Sequence, residues 1–259
     1  SWHNKHGLAK RKNRMNTSLC LIHGWATNAR IFQPLLPHLP RDWHISIPDL
    51  AGHGTSPMPP SFDIATLAGD IAGQLRPGTH LFGWSLGGVV AQWIAAYYPE
   101  KVKNLTLCAT FAKLFAAPDY DVGLRQSALH KMLPLFQDDY PKHMRQFLEL
   151  QLLHTPERQT IIEAVLPDVL RNGTPQGMAD ALTAIEYADM RPLLASIRCP
   201  TLLIFGGKDA LTPVRMGQYL QQHLPNAHLH VIGKAAHAPF ISHSGEVAAL
   251  LLAHIRQSA

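Results

Sequence analysis

The 259-residue sequence lacks the features that mark several classes of protein. It holds three cysteines, Cys20, Cys108 and Cys199, without a CxxC pair, which argues against a disulfide framework. Each lies in or beside an apolar stretch, so we expect buried core residues in a reducing compartment, the cytoplasm. The 16 histidines form no HExxH or Cys/His ligand pattern, so we expect no metal and no cofactor. No apolar run approaches the roughly 20 residues of a membrane span.

Charged residues are sparse, at 16%, and the position of the net charge of +5 matters more than its size. The first 14 residues contain five basic side chains and no acidic one: Lys5, Lys10, Arg11, Lys12 and Arg14. The rest of the chain is balanced, whereas a nucleic-acid-binding protein carries its basic excess on the folded domain. We therefore expect residues 1–14 to form a disordered arm, and we expect neither nucleic acid nor a membrane as a partner.

Hydrophobic residues make up 46% of the chain, which suits one large α/β domain. Short apolar, β-prone runs alternate with segments of helical periodicity. The predicted strands cover residues 19–23, 43–48, 80–82, 104–108, 200–205 and 228–232. The helices predicted between and after them cover residues 31–39, 64–75, 86–98, 214–223 and 245–255. This alternation is typical of a mostly parallel sheet with helices on both faces.

One long interval, residues 111–192, contains no predicted strand. Amphipathic helical segments are predicted there instead, at residues 124–135, 141–153, 158–170 and 177–186. An all-helical insertion of this length exceeds an ordinary crossover between strands. We therefore predict an α/β core formed by residues 15–110 and 193–259, with residues 111–192 as a helical cap over one end of the sheet.

A Gly-x-Ser-x-Gly pentapeptide at residues 83–87 is the strongest chemical motif in the sequence. A β-prone run precedes it and a helical run follows. This is the setting of a nucleophile elbow, in which the serine lies on a tight strand-to-helix turn and flanking glycines avoid clashes. The helix N-terminus can then stabilise a developing oxyanion. We predict Ser85 as a catalytic nucleophile.

A serine nucleophile needs a base and an acid that orients the base. Asp209 follows the predicted strand at 200–205, and His237 follows the last predicted strand. The chain order Ser85, Asp209, His237 is that of α/β-hydrolase triads. All three would lie at the carboxyl ends of parallel strands, where open α/β sheets place their sites. Asp189, at the end of the cap, is a second candidate for the acid.

The loop after the first strand completes the predicted catalytic site. In this fold an N–H of that loop pairs with the N–H after the nucleophile, which predicts an oxyanion hole from the backbones of Trp25 and Leu86. We interpret His23, Asp49 and His53 as structural residues of the neighbouring loops.

Together these residues resemble the α/β-hydrolase superfamily from Leu19 to Ile255. Four segments, residues 21–25, 83–88, 147–151 and 233–243, resemble the branch that contains the pimeloyl-[acyl-carrier protein] methyl ester esterases. We expect a monomeric enzyme, and the resemblance implies removal of a methyl group from a carrier-bound pimeloyl chain in biotin biosynthesis. It also implies substrate contacts from Trp25, Ser85, Leu86, Phe147, Leu148, Glu149, Leu150, Gln151 and His237.

The partner implied by the resemblance is an acidic acyl-carrier protein. Basic cap residues near the channel helix, Lys142, Arg145 and Arg158, would contact it, although acidic side chains outnumber basic ones in residues 111–190.

Two other activities fit the same triad, those of a general short-chain carboxylesterase and of a C–C bond hydrolase. A ligand-binding receptor with negligible turnover and a nucleic-acid or membrane binder led by the basic arm are alternatives of other classes.

Overall fold

A six-stranded, all-parallel sheet forms the centre of the computed structural model, which describes residues 16–125 and 127–258. The predicted arm, residues 1–14, lies outside the described residues. The strands are β1 (Ser18–Ile22), β2 (His44–Ser46), β3 (Thr79–Trp84), β4 (Val102–Cys108), β5 (Thr201–Gly206) and β6 (Ala227–Ile232). Their order is β2-β1-β3-β4-β5-β6. All six predicted strands are confirmed, with shifted ends.

Burial explains why the strands were recognisable. Every residue of β3 and β5 is buried, as expected for central strands covered on both faces. The edge strand β6 is only partly buried, and its residues are more polar. Cys20 and Cys108 are buried in the sheet as predicted, but Cys199 is partly exposed because it lies in the turn before β5.

The core helices flank this sheet. They are α1 (Ile64–Ala72), α2 (Leu86–Tyr97), α7 (Val214–His223), α8 (Pro239–Ser242) and α9 (Ser244–Gln257). The helix predicted for residues 31–39 was wrong, since the segment forms two short 3-10 turns, Ala29–Phe32 and Leu36–His38. Pro34 and Pro37 explain the difference, because a proline inside an α-helix removes a hydrogen bond and clashes with the preceding turn.

Four helices follow β4 and precede β5, as the sequence predicted for the cap. They are α3 (Ser127–Asp138), α4 (Tyr140–Gln151), α5 (Arg158–Asn172) and α6 (Pro175–Tyr187). Local capping fixes where two of them begin. Asp139 accepts a hydrogen bond from the amide of Lys142 at the start of α4, and Thr174 does the same for Gly177 at the start of α6. The division of the chain into core and cap at residues 111 and 192 stays a prediction.

Candidate active site

Ser85 lies in a strained backbone conformation between β3 and α2. Its φ of 52° and ψ of −116° fall where residues other than glycine are seldom found. A Cβ at position 87 would collide with the carbonyl oxygens of Ile22 and His23, so only glycine lets α2 approach β1 so closely. The turn therefore presents Ser85 at the carboxyl end of the sheet.

Hydrogen bonds on both sides hold the backbone of Ser85 in this position. Its amide donates to the carbonyl of Cys108 at 3.1 Å. Its own carbonyl accepts from the Thr110 hydroxyl at 2.6 Å and from the Gly88 amide at 2.9 Å. The neighbouring strand β4 thus anchors the turn, and this is how tertiary contacts offset the local strain.

Asp209 and His237 form a buried pair next to this turn. The His237 Nδ1 and the Asp209 Oδ2 are 2.9 Å apart, and both side chains are almost fully shielded from solvent. The amides of Leu211 and Thr212 donate to Oδ1, and the Thr212 hydroxyl donates to Oδ2. Burial by itself would raise the pKa of Asp209, but His237 and the Thr212 donors outweigh burial and hold the pKa below its usual value.

The contact with Asp209 also fixes the role of each imidazole nitrogen. A carboxylate only accepts, so Nδ1 carries the proton, and Nε2 is left as an acceptor. The His237 side chain lines the same cavity as Ser85. Asp189, the second candidate for the acid, instead binds the Arg191 guanidinium through both carboxylate oxygens, at 2.9 to 3.2 Å. Asp209 is thus the acid placed beside the histidine.

The loop after β1 is braced by His23. The amide of Leu50 donates to its Nε2 at 2.9 Å, while its Nδ1 donates to the carbonyl of Gly24 at 2.8 Å. Asp49 accepts from the amides of Ala29 and Thr55. These bonds agree with the structural roles that the sequence suggested for His23 and Asp49, and they hold the chain that leads to Trp25.

A mostly apolar cavity of about 140 Å³ lies against Ser85 and His237. The predicted core contributes Trp25 and Leu86 to its walls, and the predicted cap contributes Phe111, Phe147, Leu182 and Ile185. Four polar side chains also line it, namely those of Ser85, Gln151, Thr212 and His237. The cavity therefore suits an aliphatic chain whose reacting group meets Ser85.

Of the five cap residues predicted to contact substrate, Phe147 and Gln151 line this cavity. They are four residues apart and so lie on one face of α4. Leu148 is buried in the core cluster, Glu149 is outside the cavity lining, and Leu150 is 45% exposed. A helix turns consecutive residues to different surfaces, and the contact of these three residues with substrate stays a prediction.

Sequence reasoning missed several lining residues. Leu182 and Ile185 belong to α6, and their spacing of three places them on a common face. Leu211 and Thr212 closely follow Asp209 in the chain, so their nearness to the acid was the available signal. The basic residues Lys142, Arg145 and Arg158 do not line the cavity, and their contact with a carrier protein stays a prediction.

Neither a metal-ion site nor a membrane-spanning helix is found among the described residues, 16–125 and 127–258. No cluster of three or more His, Cys, Asp or Glu side chains there could hold a metal ion. Nor is any described helix long and apolar enough to cross a membrane.

The parallel sheet, the strained serine turn and the buried acid–histidine pair together define the class as α/β hydrolases. The sequence profile of the alpha/beta hydrolase fold matches residues 17–244, and the chain belongs to this family.

Individual proteins extend the comparison. The chain is 52% identical over 230 residues to a pimeloyl-[acyl-carrier protein] methyl ester esterase of Neisseria meningitidis, with 89% of this chain and 90% of that protein covered. The protein of the same name from Chromobacterium violaceum is 32% identical over 92% of this chain and 94% of its own length. An esterase from Exiguobacterium antarcticum shares the fold with a TM-score of 0.82, at 22% identity, covering 93% of this chain and 92% of that one.

Proposed function

We propose that this protein is a serine carboxylesterase that hydrolyses the methyl ester of pimeloyl-[acyl-carrier protein] to the free carboxylate and methanol. The placement of Ser85 and His237 on one apolar cavity, with Asp209 bonded behind the histidine, carries the chemical part of the proposal. The names of the similar proteins support the substrate. The reaction would serve biotin biosynthesis in the cytoplasm, with a monomeric enzyme and an acyl-carrier protein as its partner.

In the first step the Ser85 Oγ attacks the ester carbonyl while the Nε2 of His237 accepts its proton. Asp209 holds the imidazole with Nδ1 protonated and stabilises the positive charge that forms on it. Its own charge is secured by the hydrogen bonds from Leu211 and Thr212. The acid therefore stays ionised throughout the reaction.

The tetrahedral oxyanion would be bound by the amides of Trp25 and Leu86. Leu86 is the first residue of α2, and first-turn amides have no acceptor within their own helix. The positive end of the helix dipole adds to this attraction. His23 and its bond to Leu50 hold the loop that carries the Trp25 amide. Loss of one oxyanion donor costs about 100- to 1,000-fold in turnover in comparable sites.

Collapse of this intermediate expels methoxide, which takes the proton from His237 and leaves as methanol. The acyl group stays on Ser85 as an ester. His237 then removes a proton from water, which attacks the acyl-enzyme, and returns this proton to the Ser85 Oγ as the bond to serine breaks and the carboxylic acid leaves. The reaction needs no metal and no cofactor, because the triad supplies every proton transfer.

Gln151 gives the apolar cavity a polar site for the substrate. Its side chain is buried, and its Nε2 has no hydrogen-bond partner among the described residues. An unpaired buried donor is costly, so a ligand oxygen that accepts from it gains binding energy. A pimeloyl chain on its carrier has such an oxygen at the thioester, beyond a run of methylenes that suits the apolar walls.

The carrier protein is proposed to dock on the cap. Lys142 and Arg145 extend from α4, the helix that also supplies Phe147 and Gln151, and Arg158 begins α5. Lys142 and Arg145 are exposed, so both can meet an acidic partner. Such rim charges mainly raise the association rate and orient the partner.

The test compares hydrolysis of pimeloyl methyl ester on acyl-carrier protein with hydrolysis of the same ester as a small molecule. Ser85→Ala is expected to reduce turnover of both by about 10⁶-fold, while the exposed serine control Ser196→Ala keeps wild-type rates. Substantial activity in Ser85→Ala would disprove the nucleophile. Cleavage of the small ester alone would leave a general carboxylesterase and reject the carrier as partner.

A further inference from the structure

Thr212 contacts both members of the acid–histidine pair. It lies in the loop after β5 and is 2% exposed. Its hydroxyl donates to the Asp209 Oδ2 at 2.7 Å, and its amide donates to Oδ1 at 3.0 Å. Its Oγ1 is also 3.3 Å from the Nδ1 of His237. One side chain thus touches the carboxylate at the point where the imidazole binds it.

The two donors to Oδ2 compete for the same negative charge. The imidazole Nδ1 lies at 2.9 Å and the hydroxyl oxygen at 2.7 Å, so the hydroxyl makes the shorter of the two bonds. The hydroxyl hydrogen points to Oδ2. The Oγ1 atom can therefore accept from the Nδ1 of His237 only weakly, over the longer distance of 3.3 Å. The main electrostatic effect of the hydroxyl is therefore exerted on the carboxylate.

We propose that Thr212 is a positioning residue of the hydrolytic reaction, whose hydroxyl holds the Asp209 Oδ2 against the imidazole and limits how strongly this oxygen attracts the His237 proton. The proposal rests on the function proposed above. The residue acts on the base through the acid and moves no proton itself.

Removing the hydroxyl has two consequences. The carboxylate loses a restraint on Oδ2, so the imidazole is held less firmly in the orientation that serves Ser85. The remaining bond to His237 also strengthens, which favours the charged imidazolium over the neutral base. Oδ1 keeps its bonds from the amides of Leu211 and Thr212, so the loop and its buried charge remain supported.

The thiol of Cys108, on β4, is a further titratable group within reach of the Asp209 charge. Burial, with the nearby Asp209 charge, raises the pKa of Cys108 well above its usual value, so this thiol stays neutral in the working pH range. The Trp84 ring, which contacts the His237 ring, does not titrate. A shift in the pH profile can therefore be assigned to the Thr212 contact.

The experiment measures kcat and KM for the small pimeloyl methyl ester from pH 5 to 9 in three proteins: wild type, Thr212→Val and Thr212→Ser. Valine keeps the volume and removes the hydroxyl, whereas serine keeps the hydroxyl. We expect Thr212→Val to lower kcat by roughly tenfold, the loss typical of a hydrogen bond to a charged group. KM should change by less than about twofold, because the wall that the side chain offers to substrate is preserved.

The pH profile separates positioning from packing. In Thr212→Val the midpoint of the acid limb of kcat/KM should move up by about half a pH unit, because the imidazolium is stabilised more strongly. Thr212→Ser should keep the wild-type midpoint and stay within about twofold of the wild-type kcat. If Thr212→Val does not fold, as judged by thermal melting, Thr212→Ala replaces it in the same comparison.

Two results would overturn the proposal. Wild-type kcat and pH midpoint in Thr212→Val would mean that the hydroxyl does not affect the reaction. Equal losses in Thr212→Val and Thr212→Ser would show that keeping the hydroxyl does not preserve activity, and would assign the effect to the packing of the side chain. Failure of the proposed function is a different observation, namely hydrolysis by Ser85→Ala.

Discussion

The indole Nε1 of Trp84 donates a hydrogen bond of 2.8 Å to the backbone carbonyl of His237. Trp84 is the residue before Ser85, so this bond joins the nucleophile turn to the histidine loop across 153 positions of sequence. The two rings are also in contact, with centroids 5.3 Å apart, and Phe240 packs on the other edge of the indole. The relative position of serine and histidine therefore depends on a residue that takes no part in the chemistry.

We predict that Trp84→Phe weakens both stability and turnover. The His237 carbonyl would lose its buried donor, which costs about 1–3 kcal/mol of unfolding free energy, and kcat should fall by about tenfold as the histidine loop shifts. Thermal melting and steady-state kinetics measure the two effects. Trp93→Phe is the control, because Trp93 is half-buried on α2 and stacks on Tyr97 away from the site. Equal losses in both variants would contradict the prediction.

The glycine at position 87 is required by close packing of the backbone. A methyl group there would meet the carbonyl oxygens of Ile22 and His23, so Gly87→Ala should lose more than about 3 kcal/mol of stability and all activity. Gly69 in α1 is the matched control, since a Cβ there would lie 3.5 Å from the Tyr98 hydroxyl. Gly69→Ala should be neutral or stabilising by up to about 1 kcal/mol. Denaturant titration distinguishes the two, and a stable, active Gly87→Ala would refute the packing argument.

Stability should fall on mild acidification because two buried histidines resist protonation. Burial lowers the pKa of His23 to about 3 and that of His53 to about 4. Both titrate near 6.5 when unfolded, so the unfolded chain takes up protons first. The stability they contribute is complete above about pH 6.5 and is lost as the pH falls towards 4, by up to about 1.4 kcal/mol per pH unit for each.

The measurement is the unfolding free energy from pH 8 to 5, where most carboxylates stay ionised. His53→Asn removes one titrating group and can keep a donor for the Ala51 carbonyl that Nδ1 contacts. This variant should show a shallower decline than wild type by about one bound proton. Parallel curves for the two proteins would show that His53 does not couple protonation to folding.

Replacing Gln151 by an apolar residue should raise the stability of the protein and lower its activity. Gln151→Leu removes a buried amide nitrogen that lacks a partner, so the variant should be more stable, by about 1 kcal/mol. Its kcat/KM for the carrier-bound pimeloyl ester should fall by about tenfold, as a substrate hydrogen bond is lost. An acetate ester lacks the thioester oxygen proposed to accept from Gln151, so it should be cleaved at the wild-type rate. Gln159→Leu, a substitution at an exposed position, is the control. Unchanged kinetics of Gln151→Leu on the carrier-bound ester would show that Gln151 does not bind the substrate.

Charge reversal tests the proposed carrier surface. The triple variant Lys142→Glu, Arg145→Glu and Arg158→Glu should raise KM for the carrier-bound ester by about tenfold or more at low salt, and less at high salt. Hydrolysis of the small ester should be unchanged. The control is a second triple variant with the same change in net charge. It replaces Arg76, Lys103 and Arg256 by glutamate, in a groove at the amino ends of the strands. Equal effects of the two triple variants would argue for net charge instead of docking.

The parts of the molecule that follow local rules were predicted from sequence. Apolar runs fixed the six strands, and glycines around Ser85 marked the turn that the close contact of Gly87 with β1 requires. The helix predicted for residues 31–39 was wrong because two prolines interrupt the helical periodicity of the segment. The choice between Asp209 and Asp189 needed the tertiary structure, which pairs Asp189 with Arg191.

By itself the sequence determined the strand–helix alternation, the serine turn and the order of the three reactive residues along the chain. These features depend on side-chain periodicity and turn chemistry, which act over a few residues. Only the tertiary structure decided which face of α4 meets the cavity, that Thr212 shares an oxygen of Asp209 with His237, and that Trp84 ties the two loops together. These contacts depend on how separate elements pack and rotate against one another, and no local pattern encodes that geometry.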